Sequence, residues 1–170
     1  MDEKRRRFEA LAMPHLDAAY NLARWLGRSS IDADDIVQEA MLRAFRSFDG
    51  FRGEAVKPWL LAIVRNCHLT AVERRKRRAG EPVDNNCEIA APEPTPEAAV
   101  IQKDVGLALD QAIAALPEEF REVVLLREME AMSYRDIAAA TGAPIGTVMS
   151  RLARGRALLK AHLEGGGHGM

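Results

Sequence analysis

Residues 133–152 read SYRDIAAATGAPIGTVMSRL, and this stretch predicts two helices joined by a tight turn. Ser133 is followed three residues later by Asp136, which is the spacing of a capping box at the start of a helix. Gly142 and Pro144 then interrupt the pattern, and a second helix is expected from Ile145. A short capped helix, a turn with glycine and a second helix form a helix-turn-helix.

The second helix of this pair is expected to run from Ile145 to Leu163 and to show a basic outer face. In a helix-turn-helix, the second helix enters the DNA major groove and its N-terminal residues meet base edges. Arginine bonds guanine bidentately, and N–H groups at a helix start favour phosphate. The predicted duplex-binding residues are Gly146, Thr147, Met149, Ser150, Arg151, Arg154 and Arg156. A helical hairpin with a solvated basic face is the alternative.

The chain divides into two helical parts around an acidic, proline-rich segment. Residues 80–97 hold four prolines and five acids without apolar periodicity, which predicts a linker. A long surface loop within one domain is the alternative. The predicted domains are therefore 1–79 and 98–164, with a disordered tail at 165–170. The fold class is all-α, with two small helical domains.

The C-terminal domain is expected to open with a helix from about Pro96 to Leu116. Pro117 then fits the first position of the next helix, which runs to about Glu130. The helix-turn-helix follows it.

The N-terminal domain is expected to hold three or four helices. One begins near Pro14 and runs toward Leu26, and a second is capped by Asp32. A third begins near Pro58 and ends in five bases, Arg74-Arg-Lys-Arg-Arg78. Apolar residues at helical spacing predict the buried positions of the last two helices. They are Ile36, Val37, Ala40, Met41, Ala44, Phe45, Leu60, Ile63, Val64, Cys67 and Ala71.

A second candidate surface combines the basic end of the third helix with a neighbouring aromatic loop. Residues 1–78 carry sixteen Lys/Arg against eleven Asp/Glu, and single strands bind to aromatic faces beside a basic groove. The candidates are Phe48, Phe51, Arg52, Arg65, Asn66, Arg74 and Arg75. A solvated helix end is the alternative for the arginines. Trp59 is expected in the core, and for Phe48 and Phe51 both readings stay open.

A third candidate surface is the acidic face of the second helix. It presents Asp35, Gln38, Glu39 and Leu42. An exposed leucine among acids favours protein docking, although such charges usually form a solvated face.

Other classes of function find little support in the residues. No HExxH, P-loop, GxSxG or paired-cysteine motif is present, so we expect no enzyme, cofactor or metal. Cys67 is expected to be a packing residue. Neither a signal peptide nor a membrane-inserting segment is expected, and a cytoplasmic location follows.

Several motifs together resemble the sigma-70 family of RNA polymerase sigma factors. Residues 32–40 (DADDIVQEA), 51–54 (FRGE) and 63–66 (IVRN) look like region two of that family, and the segments 116–119 (LPEE), 133–138 and 145–152 look like region four. Two such regions without a region three are the layout of the extracytoplasmic-function group.

The resemblance implies roles for the three surfaces. Asp35, Gln38 and Glu39 match the face that docks on the clamp of the largest RNA polymerase core subunit. The loop from Phe51 with Asn66 matches the part that captures a flipped base of the minus-ten element. Ser150, Arg151 and Arg154 match the helix that reads the minus-thirty-five element of promoter DNA. An anti-sigma factor is a further expected partner.

Two departures and two alternatives accompany the resemblance. Met149 stands where a basic residue is common, and the loop after Arg52 is about one residue shorter than in some members. A helix-turn-helix regulator that never binds core polymerase is the first alternative function. A helical nucleic-acid enzyme is the second.

Overall fold

A computed structural model describes residues 2–27, 30–53, 55–80 and 100–166. Within these ranges every regular element is helical, and the chain forms two compact units, Met1–Glu88 and Ile89–Met170. The predicted all-α class with two small domains is confirmed. The predicted linker at 80–97 lies, apart from Gly80, outside the described residues, as do residues 167–170 of the predicted tail. Gly165 and Gly166 belong to the last helix, so the tail prediction is wrong for those two.

Among its described residues the N-terminal unit contains four α-helices, whereas the sequence placed three of the three or four expected. They are α1 (Asp2–Ala12), α2 (Leu16–Gly27), α3 (Ser30–Ser47) and α4 (Val56–Ala79), with 3-10 turns at Met13–His15 and Phe48–Gly50. Because α3 begins at Ser30, Asp32 lies inside the helix and the prediction that it caps α3 is wrong.

The core of this unit lies between α2, α3 and α4, and α1 closes one end of it. Most inward positions predicted for α3 and α4 are buried or half-buried, whereas Ala71 is exposed. Phe8 and Ala12 of α1 enter a cluster with Phe48 and Leu60. The helix α4 ends at Gly80, which adopts the left-handed conformation (φ 62°) that favours glycine.

The C-terminal unit packs its last helix against the three before it. Its elements are α5 (Val100–Ala115), α6 (Glu118–Val124) with a π-helical turn at Leu125–Met129, α7 (Tyr134–Thr141) and α8 (Ile145–Gly166). Pro117 is the N-cap of α6 and has an extended ψ of 145°. The prediction that it occupies the first helical position is therefore wrong by one residue.

A buried arginine joins α5 to α6. Arg121 is 1% exposed, and its guanidinium donates to the carbonyls of Ile113 (3.2 Å), Ala114 (3.1 Å) and Leu116 (2.7 Å). The last carbonyls of a helix have no partner within that helix. Arg121 therefore supplies the hydrogen bonds that the end of α5 lacks.

Gly155 allows α8 to approach α6 closely. A Cβ atom at this position would lie 2.7 Å from Cγ2 of Val124 and 3.6 Å from Cβ of Phe120. The close approach is therefore to α6, which lies outside the helix-turn-helix.

Candidate nucleic-acid interface

The α7–α8 pair has the local bonds that a helix-turn-helix needs. The N–H of Asp136 donates to Oγ of Ser133 (3.0 Å), which confirms the predicted cap. Gly142 adopts a left-handed conformation (φ 73°), and its N–H donates to the carbonyl of Ala138 (2.9 Å). The glycine conformation ends α7 and allows the chain to turn into α8.

The exposed side of α8 is built around small residues. Val148, Leu152 and Gly155 are buried, and at 100° per residue the opposite side is centred on Gly146, Ser150, Ala153 and Ala157. Oγ of Ser150 donates to the carbonyl of Gly146 (3.0 Å), so the serine side chain lies close to its own helix. Small side chains leave the helix backbone accessible, which suits insertion into a groove.

Two of the predicted DNA-binding arginines flank this face and contact acids of neighbouring elements. Nη2 of Arg151 lies 3.5 Å from Oε2 of Glu119 in α6. Nε of Arg156 donates to Oε1 of Glu128 in the π-helical turn (2.6 Å), and this bond raises the pKa of Arg156. Both arginines therefore also hold α8 against the unit.

Arg154 and Met149 differ from these two arginines. Among the residues that the structure describes, Arg154 makes no ion pair with an acid, and its side chain is exposed. Met149 is 52% exposed, and Thr147 is half-buried. Arg154 is consequently an exposed cation of α8 that pairs with no described acid.

Phe48 belongs to the core of the N-terminal unit. It is 6% exposed, with the ring of Phe8 edge-on at 5.4 Å and the ring of Phe51 stacked at 6.3 Å. The core reading that the sequence left open therefore describes most of this side chain, and strand binding by Phe48 stays a prediction. Trp59 is half-buried and packs against Phe51 at 4.8 Å, consistent with the predicted core position.

Phe51 and Arg52 line a cavity that the sequence did not predict. It encloses about 400 Å³ and includes Lys4 and Arg7 of α1 together with Phe48. Lys4 donates from Nζ to Oδ2 of Asp49 (2.8 Å), which holds α1 beside this loop. The basic run at residues 4–7, directly before Phe8, was the signal that could have indicated this role for α1.

The strand-binding residues predicted on α4 do not form a single cluster with Phe51. Arg65 is half-buried and Asn66 exposed near the middle of α4, whereas Arg74 lies about 27 Å along the helix from its start. Arg74 and Arg75 line a different cavity of about 350 Å³ with Asp35. The structure thus divides the predicted strand-binding surface into two parts. The part with Arg74 and Arg75 lies beside Asp35 of the acidic face on α3.

The acidic face on α3 is present as predicted. Asp35 and Gln38 are exposed, and Leu42 is 52% exposed. Oε1 of Glu39 accepts a hydrogen bond from Nε of Arg43 (2.9 Å), which raises the pKa of Arg43. The face therefore presents an apolar side chain beside carboxylates, with Glu39 held in position by its neighbour.

Cys67 lies beneath this region and is buried. Burial raises the pKa of its thiol, although the charge of Arg43 partly opposes the effect. Within the described ranges, no group of three or more His, Cys, Asp and Glu side chains could hold a metal ion. No helix in the same part of the chain is long and apolar enough to cross a membrane.

Comparisons with known families match both units. Residues 11–78 match the family model described as "Sigma-70 region 2", and residues 106–159 match "Sigma-70, region 4". The second match spans the helix-turn-helix, and the first spans the acidic face and the aromatic loop.

Relatives of known name are similar along most of the chain. It is 36% identical to "ECF RNA polymerase sigma factor SigE" of Mycolicibacterium smegmatis over 92% of this chain and 61% of that protein. It is 30% identical to "RNA polymerase sigma-H factor" of Pseudomonas aeruginosa, covering 94% and 88% of the two chains. It is 36% identical to "ECF RNA polymerase sigma factor SigM" of Mycobacterium tuberculosis, covering 89% and 74%.

Two solved structures are similar to this chain. The sigma factor RpoE of Bartonella quintana, in complex with the anti-sigma factor NepR, has a TM-score of 0.78 and 28% identity, covering 93% of this chain and 97% of that one. CnrH, in complex with the cytosolic domain of CnrY, has a TM-score of 0.66 and 26% identity, covering 95% and 90%. The chain therefore belongs to the extracytoplasmic-function (ECF) group of the sigma-70 family of RNA polymerase sigma factors.

Proposed function

We propose that this chain is an alternative sigma factor, which binds RNA polymerase core, directs it to promoters and assists promoter melting. The observation that carries the proposal is that one chain contains both a region 2 unit and a region 4 unit, in that order. No covalent chemistry is required of the chain, since each step is a binding event.

Docking on core polymerase is assigned to the acidic face of α3. Asp35 and Gln38 are exposed, and Leu42 supplies apolar area that is 52% accessible. An apolar anchor surrounded by charges is the usual composition of a specific protein interface. The partner surface is expected to be basic, because it must complement the carboxylates of Asp35 and Glu39.

Reading of the upstream duplex is assigned to α8. Ser150 and Arg154 are exposed on the face centred on small residues, and Gly146 with Thr147 begins the helix, where N–H groups favour phosphate. Arg151 and Arg156 stand at the two edges of this face. Since both also contact acids, their substitution would affect the position of α8 as well as DNA binding.

Capture of the melted strand is assigned to the cavity lined by Phe51 and Arg52. Its wall carries three cations, Lys4, Arg7 and Arg52, against two acids, Glu3 and Asp49, so the balance is one positive charge. Taking a base out of the stack costs a few kcal/mol that such a site must supply. Arg74 and Arg75 lie too far along α4 to contact the same nucleotide. We assign them to phosphates further along the DNA.

Control by an anti-sigma factor is the expected regulation, since RpoE and CnrH are each bound to a partner protein in their solved structures. A cytoplasmic location follows from binding to core polymerase. A stress response is the expected setting.

Reconstituted transcription tests the proposal. The purified chain with core polymerase should start transcription at a promoter that core alone does not use. Arg154→Ala should reduce initiation at least tenfold while core binding stays unchanged. Arg154 is preferred to Arg151, which contacts Glu119, because no acid in the described part of the chain pairs with Arg154.

A charge reversal on the acidic face provides the opposite result. Asp35→Arg should weaken core binding at least tenfold and leave upstream duplex binding unchanged. Asp17→Arg, the same change at an exposed position of α2 outside the acidic face, is the matched control. Duplex binding without any core binding by the unmodified chain would favour the alternative, a helix-turn-helix regulator that acts without polymerase.

A further inference from the structure

Met149 is an exposed apolar side chain at the edge of the small-residue face of α8. It is the fifth residue of the helix and is 52% exposed. Gly146, three residues before it, and Ala153, four residues after it, are its neighbours on the helix surface and are both exposed. Ile145, four residues before it, is a third neighbour and is 47% exposed, so Met149 and Ile145 form a small apolar pair at the start of α8.

The surroundings of Met149 favour a duplex over a protein partner. At 100° per residue, Arg156 and Lys160 share the edge that Met149 occupies, Arg154 lies at the opposite edge of the exposed face, and no acid occurs in this helix before Glu164. A protein partner would be expected to meet a broader apolar area, because interface centres are depleted in charge. Here the apolar area at the start of α8 is limited to Met149 and Ile145, and small residues and cations surround it.

The major groove presents one apolar group that such a side chain can recognise. Thymine carries a 5-methyl group there, and the remaining base edges are hydrogen-bond donors and acceptors. Methionine is unbranched, flexible and polarisable, so its side chain can adjust to reach the methyl group.

We propose that Met149 reads the 5-methyl group of a single thymine in the upstream duplex element, and thereby gives this chain a preference for thymine at that base pair. The proposal rests on the proposed function, in which α8 enters the major groove. It assigns a specificity role to a residue that can neither bind phosphate nor donate to a base.

A methyl deletion on each partner provides the test. Duplexes that bind the full chain with core polymerase are first selected from a pool randomised in the upstream region. In the best of them, each thymine is replaced in turn by deoxyuridine, which removes only the methyl group. At one position, the unmodified chain should bind about fourfold more weakly, the factor expected for burying one methyl-sized group.

The same series is then measured with Met149→Ala. This variant should bind the thymine duplex about fourfold more weakly or worse, and deoxyuridine at that position should weaken it no further. Met149→Leu keeps an apolar side chain and should retain the sensitivity. Met129→Ala is the matched control, because Met129 is 50% exposed but lies in the π-helical turn outside α8.

Two results would overturn the proposal while leaving the proposed function intact. In one, the unmodified chain selects a duplex but no thymine methyl affects binding. In the other, Met149→Ala keeps the full sensitivity to deoxyuridine, as a side chain reserved for a protein partner would allow. If the unmodified chain with core polymerase enriches no duplex at all, the proposed function fails and this inference fails with it.

Discussion

Replacement of Arg121 by methionine should unfold the C-terminal unit selectively. The guanidinium donates three hydrogen bonds to carbonyls at the end of α5, and the residue is 1% exposed. A hydrogen bond to a charged group contributes about 1.5–3 kcal/mol. The variant loses these bonds but no longer buries a charge, which offsets part of the loss. We therefore expect the free energy of unfolding to fall by about 3–5 kcal/mol. Domains of this size have a free energy of unfolding on the order of 5 kcal/mol.

The positions of the tryptophans allow the two units to be followed separately. Trp25 and Trp59 both lie in the N-terminal unit, so tryptophan fluorescence reports its unfolding in urea. Far-UV circular dichroism reports helices of both units. In Arg121→Met, part of the dichroism should be lost at much lower urea, while the fluorescence midpoint should not move.

A lysine variant separates charge from hydrogen-bond geometry. Arg121→Lys keeps the positive charge but cannot reach three carbonyls at once, so an intermediate loss of about 2 kcal/mol is expected. An Arg121→Met protein whose dichroism transition shifts by less than about 1 kcal/mol would refute the assigned role of Arg121. Equal shifts of both signals would refute the independence of the units.

Three further predictions concern packing, backbone conformation and thiol reactivity. Gly155→Ala should destabilise the C-terminal unit by about 1 kcal/mol, because overpacking against the stiff, buried Val124 outweighs the better helix propensity of alanine; Gly146→Ala, where the structure leaves open space, should not destabilise it in the same urea titration. Ala131 has a φ of 53°, so Ala131→Gly should stabilise the C-terminal unit by about 0.5–1 kcal/mol. A lower unfolding midpoint for this variant would contradict the prediction. Because burial raises the pKa of Cys67, the neutral thiol is favoured in the fold and stability should fall as the pH rises above the pKa of the unfolded thiol; in a variant with the other cysteine replaced by serine, alkylation at pH 8 should be slow in buffer and fast in denaturant.

Local signals account for the parts of the fold that were predicted correctly. The cap at Ser133 and the left-handed turn at Gly142 depend on bonds within a few residues, so residue type and spacing suffice to find them. The inward positions of α3 and α4, such as Val37 and Val64, follow from helical periodicity. The same reasoning placed the acidic face of α3 on the surface.

Tertiary contacts account for what was missed. The helix α1 is rich in charge, and its buried residues are Phe8 and Ala12. Two apolar positions are too few to give a helical pattern in the sequence. A buried arginine such as Arg121 contradicts the usual pattern, because its partners are carbonyls at the end of another helix. Phe48 and Phe51 are the same residue type three positions apart, and packing alone decides that the first is core.

The candidate interface shows the same limit. Glu119 and Glu128 are far in sequence from the arginines that they contact, so nothing local indicated that two predicted DNA ligands also have protein partners. The distance of Arg74 from the start of α4 follows from helix geometry. The cavity that places Arg74 beside Asp35 depends instead on how α3 packs against α4.

The ion pairs at the two edges of α8 have a consequence for how ionic strength affects its binding. Each phosphate neutralised by a protein cation releases condensed counterions, and log K then falls with log salt by about 0.9 per contact. An arginine that must leave a carboxylate to bind a phosphate contributes less binding free energy than an arginine without an acid partner. We therefore expect α8 to dissociate quickly from DNA of unrelated sequence. Its residence time on a duplex should depend mainly on the base edges that the duplex presents to α8.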